Sequence, residues 1–351
     1  MAYTTIDDPS AYFHTQLYSG DGGGSNAITN DANAGDFKPD WLWIKERTAD
    51  SSNTLVDSTR GAGNILLSDN TNAEASAPAV SSLNTDGFTL GSDGKTNEIN
   101  QTYVAWQWKA NGGTTASNTD GTITSTVQAN TTAGFSVVTW TSNGSAGQTI
   151  GHGLGVAPDM VILKNRSAVE AWQVYHQSIG AGKFLMLDRT NAEAANTNIW
   201  SNTSPTSTLF YVGANTFSSN SDEIVMYCFA EKQGYSKFGS YTGNGNADGP
   251  FIYTGFKPAW VMFKKTSGAD GWGIFDNKRG YQNATNPLDA YLQPNNSNAE
   301  SGESDSIDFL SNGFKWRISS GFRNESGSTF IYMAFAESPL VGSDGTPTTA
   351  R

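Results

Sequence analysis

The sequence contains only one cysteine, Cys228, and three histidines, and both scarcities limit the chemistry of the chain. One cysteine allows no internal disulfide, and its place inside the apolar run at 224–229 predicts a buried small hydrophobic residue rather than a reactive thiol. The histidines are not spaced as zinc ligands, and no Cys-x-x-Cys pattern is present. The sequence therefore predicts no disulfide, no metal site and no cofactor.

Charge is also scarce, and most of it is negative. The chain carries 21 Lys and Arg against 33 Asp and Glu, a net charge of −12, and only 15% of its residues are charged. The basic residues occur singly rather than in a stripe, which argues against nucleic acid as a partner. No apolar run approaches the roughly 18 residues of a membrane span, and no secretory leader is recognisable at the start. We therefore expect a chain that folds in the cytoplasm where it is synthesised and does not insert into a membrane.

Helical periodicity is nearly absent from the sequence. The apolar segments are short, rich in Val, Ile, Phe, Tyr and Trp, and separated by turn residues, among them Asn-Gly or Asp-Gly pairs at 86–87, 93–94, 143–144 and 244–245. Strands and turns at this spacing are typical of a β-sandwich or jelly roll. The sequence therefore predicts an all-β protein.

One short pattern occurs three times. Pro-Asp-Trp-Leu-Trp-Ile-Lys at 39–45 returns as Pro-Asp-Met-Val-Ile-Leu-Lys at 158–164 and as Pro-Ala-Trp-Val-Met-Phe-Lys at 258–264. An Asn-Ala-Glu tripeptide follows each copy, and an apolar strand closes each repeat. Recurrence through a repeated unit favours a structural role for the residues that recur. These are Pro39, Pro158, Pro258, Lys45, Lys164, Lys264, Glu74, Glu193 and Glu300.

The landmarks divide the chain into three tandem β-sandwich repeats of jelly-roll or concanavalin-like type, which we call unit 1 (1–110), unit 2 (133–231) and unit 3 (232–337). A Gly-, Thr- and Ser-rich stretch at 111–132 is predicted as a linker, and 338–351 as a C-terminal tail. The unbroken apolar runs predict strands that are covered on both faces, and each preceding Pro is expected to start its strand because it cannot lie inside one. We expect three sandwiches in series, each with a core of its own.

Carboxylates and aromatic residues are the candidates for a surface binding site. Asp57 and Asp276 each begin an Asp-x-x-Arg pattern, which is explained most simply by an ion pair within one loop. The Glu of Asn-Ala-Glu is expected to accept backbone N–H groups or to pair with the recurrent Lys. Contact with carbohydrate or with a metal ion is the alternative for these acids, and a glycosidase needs only two carboxylates.

Trp172 and Trp272 begin matching strands directly after loops, where an exposed indole could stack on a sugar ring. A buried Trp at the end of a strand is the simpler interpretation of both. The polar loop at 68–72 offers oxygen ligands for calcium, but its spacing matches no EF-hand loop.

Several longer strings resemble a repeat found in structural proteins of tailed bacteriophages, especially marine ones. They are Asp-Phe-Lys-Pro-Asp-Trp-Leu-Trp-Ile-Lys-Glu-Arg at 36–47, Tyr-Val-Ala-Trp-Gln-Trp-Lys-Ala at 103–110, Val-Ala-Pro-Asp-Met-Val-Ile-Leu-Lys-Asn-Arg at 156–166 and Tyr-Ser-Lys-Phe-Gly-Ser-Tyr-Thr-Gly-Asn-Gly at 235–245. The tail that ends in Ala350 and Arg351 is also similar to that family's ending. The resemblance covers nearly the whole chain and implies a virion protein, often labelled tail fibre, with lectin-like sandwich repeats and no catalytic residues to transfer.

This resemblance leads us to expect a virion structural protein that is not an enzyme. The first hypothesis is a tail fibre or appendage adhesin on the virion surface, which contacts host glycans or proteins. The alternative is a capsid decoration or neck protein that binds only other virion subunits, and a glycan-degrading enzyme or a cellular adhesion protein is a more distant possibility. Virion appendages are assemblies, so we expect a homo-oligomer, although nothing in the sequence sets its symmetry.

Overall fold

The structure is a computed structural model that describes residues 2–31, 37–214, 217, 219–282 and 285–348, without the side chains of 303–305. The chain is all-β, as the sequence predicts. Its described helical segments are a 3-10 turn at Pro9–Ala11 and the short helices α1 (Gly94–Asn97) and α2 (Gly321–Asn324). No helix of the described part is long and apolar enough to cross a membrane. Asp36 and residues 349–351, which belong to the strings discussed above, lie outside the described residues.

Unit 1 forms two sheets from nine strands. The strands are β1 (Phe13–Ser19), β2 (Asn26–Ile28), β3 (Trp41–Glu46), β4 (Thr54–Asp57), β5 (Asn64–Leu67), β6 (Ala75–Ser76), β7 (Val80–Leu83), β8 (Phe88–Leu90) and β9 (Thr102–Trp108). The larger sheet has the order β1-β9-β3-β4-β5-β6, and the smaller one has the order β2-β8-β7.

The chain from 111 to 231 again forms a larger and a smaller sheet. Its strands are β10 (Ala116–Asn118), β11 (Ser125–Asn130), β12 (Phe135–Thr141), β13 (Gln148–Gly151), β14 (Met160–Asn165), β15 (Gln173–His176), β16 (Lys183–Met186), β17 (Ala194–Ala195), β18 (Leu209–Val212) and β19 (Glu223–Phe229). The larger sheet has the order β10-β11-β12-β19-β14-β15-β16-β17, and β13 pairs with β18.

Unit 3 also forms two sheets, each with four strands. Its strands are β20 (Ser236–Thr242), β21 (Phe251–Tyr253), β22 (Phe256–Lys265), β23 (Trp272–Asp276), β24 (Leu288–Tyr291), β25 (Ser301–Leu310), β26 (Gly313–Trp316) and β27 (Thr329–Pro339). The sheets have the orders β20-β27-β22-β23 and β21-β26-β25-β24. In every unit the strand that carries the Pro-initiated pattern lies between the last strand and the strand that follows the pattern.

The central strands are buried on both faces, which confirms the expectation from their unbroken apolar runs. On β3, Trp41 and Trp43 point into a core shared by all three units, while Leu42 and Ile44 point toward the small sheet of unit 1. Side chains alternate between the faces of a strand, so a strand covered on both sides needs apolar residues at every position. The same alternation divides the residues of β14 and of β22 between the shared core and a core within their own unit.

The shared core makes the three units one body, which differs from the predicted series of separate sandwiches. The Trp41 ring of unit 1 stacks on Tyr227 of unit 2 with centroids 4.5 Å apart, and Trp108 meets Trp260 of unit 3 edge-on at 5.6 Å. Phe229 of unit 2 contacts Phe335 of unit 3 at 6.2 Å. Each unit therefore buries both faces of the sheet that contains its Pro-initiated strand, one of them against its neighbours.

The stretch at 111–132 is not the bare linker that its composition predicts. It contains β10 and β11, and β11 pairs with β12 and so extends the larger sheet of unit 2. Val127 is buried in the core of unit 2, and the Gln128 side chain is buried as well. The Gly- and Thr-rich composition predicts a surface segment, but composition alone cannot show that this segment pairs with the edge of β12.

Candidate functional site

The Asn-Ala-Glu tripeptides lie at the junctions between units. The backbone N–H of Glu74 donates to the carbonyl of Arg166 in unit 2 at 2.8 Å, and that of Glu193 donates to Thr266 in unit 3 at 2.9 Å. The third contact closes the ring, because the N–H of Glu300 donates to the carbonyl of Arg47 in unit 1 at 2.8 Å. The three units therefore contact one another cyclically.

The carboxylates of Glu74 and Glu300 bind arginines, and that of Glu193 binds Lys183, so the predicted pairing with the recurrent lysines is wrong. Glu300 accepts two hydrogen bonds from Arg47 (3.0 and 2.8 Å) and one from the buried Arg279 (2.8 Å). Glu74 is held in the same way by Arg166 of unit 2 and by Arg60 of its own unit. Burial alone would raise the pKa of both carboxyls, but the arginines lower each pKa below its ordinary value.

The unit 2 junction is simpler. Glu193 pairs with Lys183, whose side chain is 45% exposed, and Thr266 stands where the other two junctions place an arginine. A single, partly exposed pair thus replaces two arginines at this junction. Because exposed ion pairs contribute little, the three junctions are not equally strong.

The recurrent lysines, Lys45, Lys164 and Lys264, are buried and donate to backbone carbonyls. Each Nζ reaches the carbonyl of the residue before Asn-Ala-Glu in a neighbouring unit, at 3.2, 3.1 and 3.3 Å. Burial lowers the pKa of each of these lysines to about 8. Their role is to satisfy carbonyls at the junctions, which explains why a charged residue recurs inside an apolar strand.

The recurrent prolines are buried at the start of the pattern, and one of them departs from its expected place. Pro39 and Pro158 precede their strands, whereas Pro258 lies inside β22. The pairing of β22 with β27 shifts register on either side of Pro258. A bulge of this kind accommodates a residue that has no N–H to donate, so the expectation that each Pro starts its strand is wrong for unit 3.

Asp57 and Asp276 are buried, and they form the ion pairs that the Asp-x-x-Arg spacing predicts. Asp57 accepts from Arg60 and from the hydroxyl of Tyr227 in unit 2 at 2.7 Å. Asp276 accepts from Arg279 at 2.6 Å. The indole N–H of Trp106 in unit 1 also donates to Asp276, at 2.9 Å. Their selection as surface binding residues is wrong, because both side chains are fully buried.

His176 occupies the same place in unit 2. Its Nε2 lies 3.3 Å from the carbonyl of Tyr332 in unit 3, and burial lowers its pKa to about 4. The imidazole is therefore neutral at pH 7, and this junction carries no counterpart of the Asp–Arg pair.

Trp172 and Trp272 are also buried, so neither ring is available for stacking on a sugar. The indole N–H of Trp172 donates to the carbonyl of Leu67 in unit 1, and that of Trp272 donates to Met186 in unit 2, both at 2.9 Å. Asn53 occupies the equivalent position in unit 1 and donates to Gln293 of unit 3 at 3.3 Å. These side chains join units, and the simpler interpretation of both tryptophans is correct.

The oxygens of the loop at 68–72 are largely engaged by the protein. Ser68 donates its hydroxyl to Pro294 at 2.7 Å, and Asp69 accepts from the backbone N–H of Asn53 at 2.9 Å. Among the described residues no group of three or more His, Cys, Asp or Glu is placed to hold a metal ion.

Two exposed aromatic residues that the sequence analysis did not select lie on the sheet β21-β26-β25-β24 of unit 3. Phe251 and Tyr253 on β21 are 44% and 52% exposed, and Ile252 between them is buried. Phe251 lies opposite Lys315 of β26, which pairs with Asp248 at 2.7 Å. The alternation at 251–253 was the available signal, since it places two aromatic rings on one face of an edge strand. We call the outward side of β21 and β26 the aromatic face.

Comparison with known proteins adds a family assignment. A family model described as Domain of unknown function (DUF7483) matches residues 8–339. The chain belongs to this family. The DUF7483 match spans all three units, as does the shared core. No curated protein and no solved structure matches the chain.

Proposed function

We propose that this DUF7483 protein is a non-catalytic structural protein of a tailed-bacteriophage particle, where it acts as a tail fibre or appendage adhesin on the virion surface. The observation that carries the adhesin role is the aromatic face. Aromatic rings supply large contact areas, and polar groups around them fix the orientation of a ligand. The aromatic face has both, because Lys315 lies opposite Phe251 and pairs with Asp248.

Glycans are the host-surface ligands that this face suits best. The exposed rings can pack on the C–H faces of pyranose rings, while Lys315 and Asp248 hydrogen-bond to hydroxyl groups. The face is exposed on a single unit, so a homo-oligomer would be required to raise a weak contact to useful avidity. We propose such an oligomer as part of the function, with other virion proteins as its neighbours.

We further propose that the three units are jelly-roll or concanavalin-like repeats. Support comes from matched positions: the Pro-initiated strand, the lysine and the Asn-Ala-Glu tripeptide occupy the same places in each unit. Each unit also contains two sheets, one of which includes the Pro-initiated strand.

A decoration or neck protein that binds only virion subunits is the second candidate. It is favoured by the recurrent polar residues, which are buried or half-buried and join the three units to one another rather than forming three surface binding sites. On this alternative the aromatic face would contact another subunit.

A glycan array with the purified protein tests the adhesin role. We expect binding that is lost in Phe251→Ala and Tyr253→Ala but kept in Tyr281→Ala, a matched control that is 59% exposed in the same unit. Immunogold labelling of intact particles gives the position. Gold at the tail with glycan binding supports the adhesin, whereas gold at the head or neck and no glycan binding supports the second candidate.

A further inference from the structure

A cleft of about 460 Å³ opens at the junction of unit 3 and unit 1. One wall is formed by Phe13, His14 and Thr15 of β1, and the opposite wall by Ala259 and Lys278 of unit 3. In the described part of the chain β1 is the edge strand of its sheet. The cleft therefore lies along a strand edge.

The equivalent place between units 1 and 2 is filled by a strand. There β11 pairs with β12, which corresponds to β1, and it carries the buried side chain of Gln128. The Gln128 amide donates to the hydroxyls of Ser58 at 2.8 Å and Thr59 at 3.0 Å, and its oxygen accepts from the N–H of Gly113 at 2.7 Å. This junction is thus closed by a strand of the chain itself.

The place between units 2 and 3 is closed by a side chain. Gln177, which corresponds to Ser58, donates to the carbonyl of Phe238 on β20 at 2.9 Å. The amide occupies an acceptor on the edge of β20 that an added strand would otherwise use.

At the junction of units 3 and 1, one residue that helps to close the other two junctions is replaced. Ala259 stands where Asp40 and Asp159 stand in the other units. Those carboxylates accept from the backbone N–H groups of Ala110 at 2.7 Å and of Glu231 at 2.6 Å, and so hold the chain that leaves for the next unit. In unit 3, β27 instead continues along β22 as far as Pro339.

Polar groups in the cleft indicate what would fill it. Thr15 is only 4% exposed, and its hydroxyl has no hydrogen-bond partner among the described residues. Lys278 replaces the Thr59 hydroxyl that Gln128 binds in the filled junction, and its ion pair with the exposed Asp31 is long, at 3.3 Å. Of the acids that line the cleft, Glu337 is paired with Lys257 at 2.8 Å and Asp8 accepts from Ser10.

We propose that this cleft binds an extended peptide strand of a partner protein, which adds to β1 in the antiparallel register that β11 uses on β12 and carries an acidic side chain at the position of Gln128. The added strand would hydrogen-bond to the edge of β1 at Phe13 and Thr15, as in strand-addition complexes. It would end before Leu17, whose carbonyl already accepts from the Gln16 side chain at 2.8 Å. Its carboxylate would meet Lys278, and a charge-assisted contact is stronger than the neutral one it replaces. The site goes beyond the proposed function and does not depend on it.

Cysteine trapping with a peptide tests the register. The probe is the segment 124–132 of this chain, Thr-Ser-Thr-Val-Gln-Ala-Asn-Thr-Thr, made with Gln128→Glu and Ala129→Cys. Ala129 pairs with Ser136 of β12, which corresponds to His14. The peptide, supplied as its mixed disulfide with thionitrobenzoate, should therefore exchange with the thiolate of His14→Cys in the full chain and release thionitrobenzoate. The native Cys228 is buried and does not compete.

The controls are a peptide with Val127→Cys and a protein with Gln16→Cys, which should react with each other because Val127 pairs with Val138, the counterpart of Gln16. This second pair keeps the test valid if the His14 variant does not fold. We expect each matched pair to react at least tenfold faster than the crossed pairs. The peptide that carries Gln128→Glu should also react about tenfold faster than the peptide that keeps Gln128, and Lys278→Met should remove that preference.

Equal rates for matched and crossed pairs would overturn the proposal, as would reaction no faster than that of a scrambled peptide. A disulfide-linked dimer of the His14→Cys protein that forms in preference to the peptide adduct would show instead that a second copy of the chain occupies this face.

Discussion

Replacing Glu300 by glutamine tests whether the junctions between units hold the molecule together. Glu300 is 6% exposed and accepts three hydrogen bonds, one of them from Arg279, which is fully buried. The substitution keeps the shape of the side chain but removes the charge that compensates both arginines. Asp276 still pairs with Arg279, but Arg47 loses its carboxylate.

Removing one partner of a buried, hydrogen-bonded ion pair costs about 3–5 kcal/mol, because the other charge stays buried. We expect Glu300→Gln to lower the free energy of unfolding by about 3 kcal/mol, near the lower end of this range, because Asp276 still compensates the charge of Arg279. The same change at Glu193 should cost no more than about 1 kcal/mol, because its lysine partner is largely exposed.

Urea denaturation followed by tryptophan fluorescence measures the difference, with the denaturant slope checked for constancy across variants. Glu193→Gln is the matched control, since it makes the same chemical change at the equivalent position. Equal losses of unfolding free energy at the two positions would refute the conclusion that the junctions differ in strength.

Three further predictions concern the interior. Burial lowers the pKa of each recurrent lysine from 10.5 in the unfolded chain to about 8 in the folded chain, so the unfolded chain holds more protons between these values. Each lysine should then add about 1.2 kcal/mol to the free energy of unfolding between pH 7.5 and 9, or about 4 kcal/mol for all three. The buried Cys228 thiol, whose pKa is raised by burial, opposes this only slightly. Urea titrations at both pH values check the rise, and an unchanged midpoint contradicts it. Trp272→Phe should cost about 1–2 kcal/mol through the unpaired carbonyl of Met186 and leave glycan binding unchanged; any loss of binding to the array would show that the ring is accessible after all. Residues 232–337 expressed alone should bind the dye ANS or aggregate, because the face that carries Trp260 loses its cover, and a soluble, cooperatively folded fragment would argue against a shared core.

Local features of the structure followed from the sequence wherever neighbours along the chain decide them. The Asp-x-x-Arg pairs and the doubly covered strands depend on spacing within one strand or loop, and their predictions were correct. The all-β class followed for the same reason, from short β-branched and aromatic segments between turns.

The relations between units could not be read from the sequence. Glu74 binds Arg166, and Trp172 reaches Leu67, across distances of about a hundred residues. Repeats show which positions are equivalent but not how the copies face one another, and a ring and a series of the same units have the same sequence pattern. Trp172 and Asp57 remained candidates for a surface site beside the simpler interpretations, because nothing local indicates the neighbouring unit that buries them.

Closure of the ring within one polypeptide has a consequence for how such a molecule can change. In a homotrimer every substitution appears at all three interfaces at once, so a residue needed at one of them is fixed at the others. Here the three copies are encoded separately. Thr266 could replace an arginine, and Ala259 an aspartate, each at a single junction. The contacts that all three junctions share therefore stabilise the fold. A position that differs at a single junction can change without disturbing the other two, and a binding site can arise there.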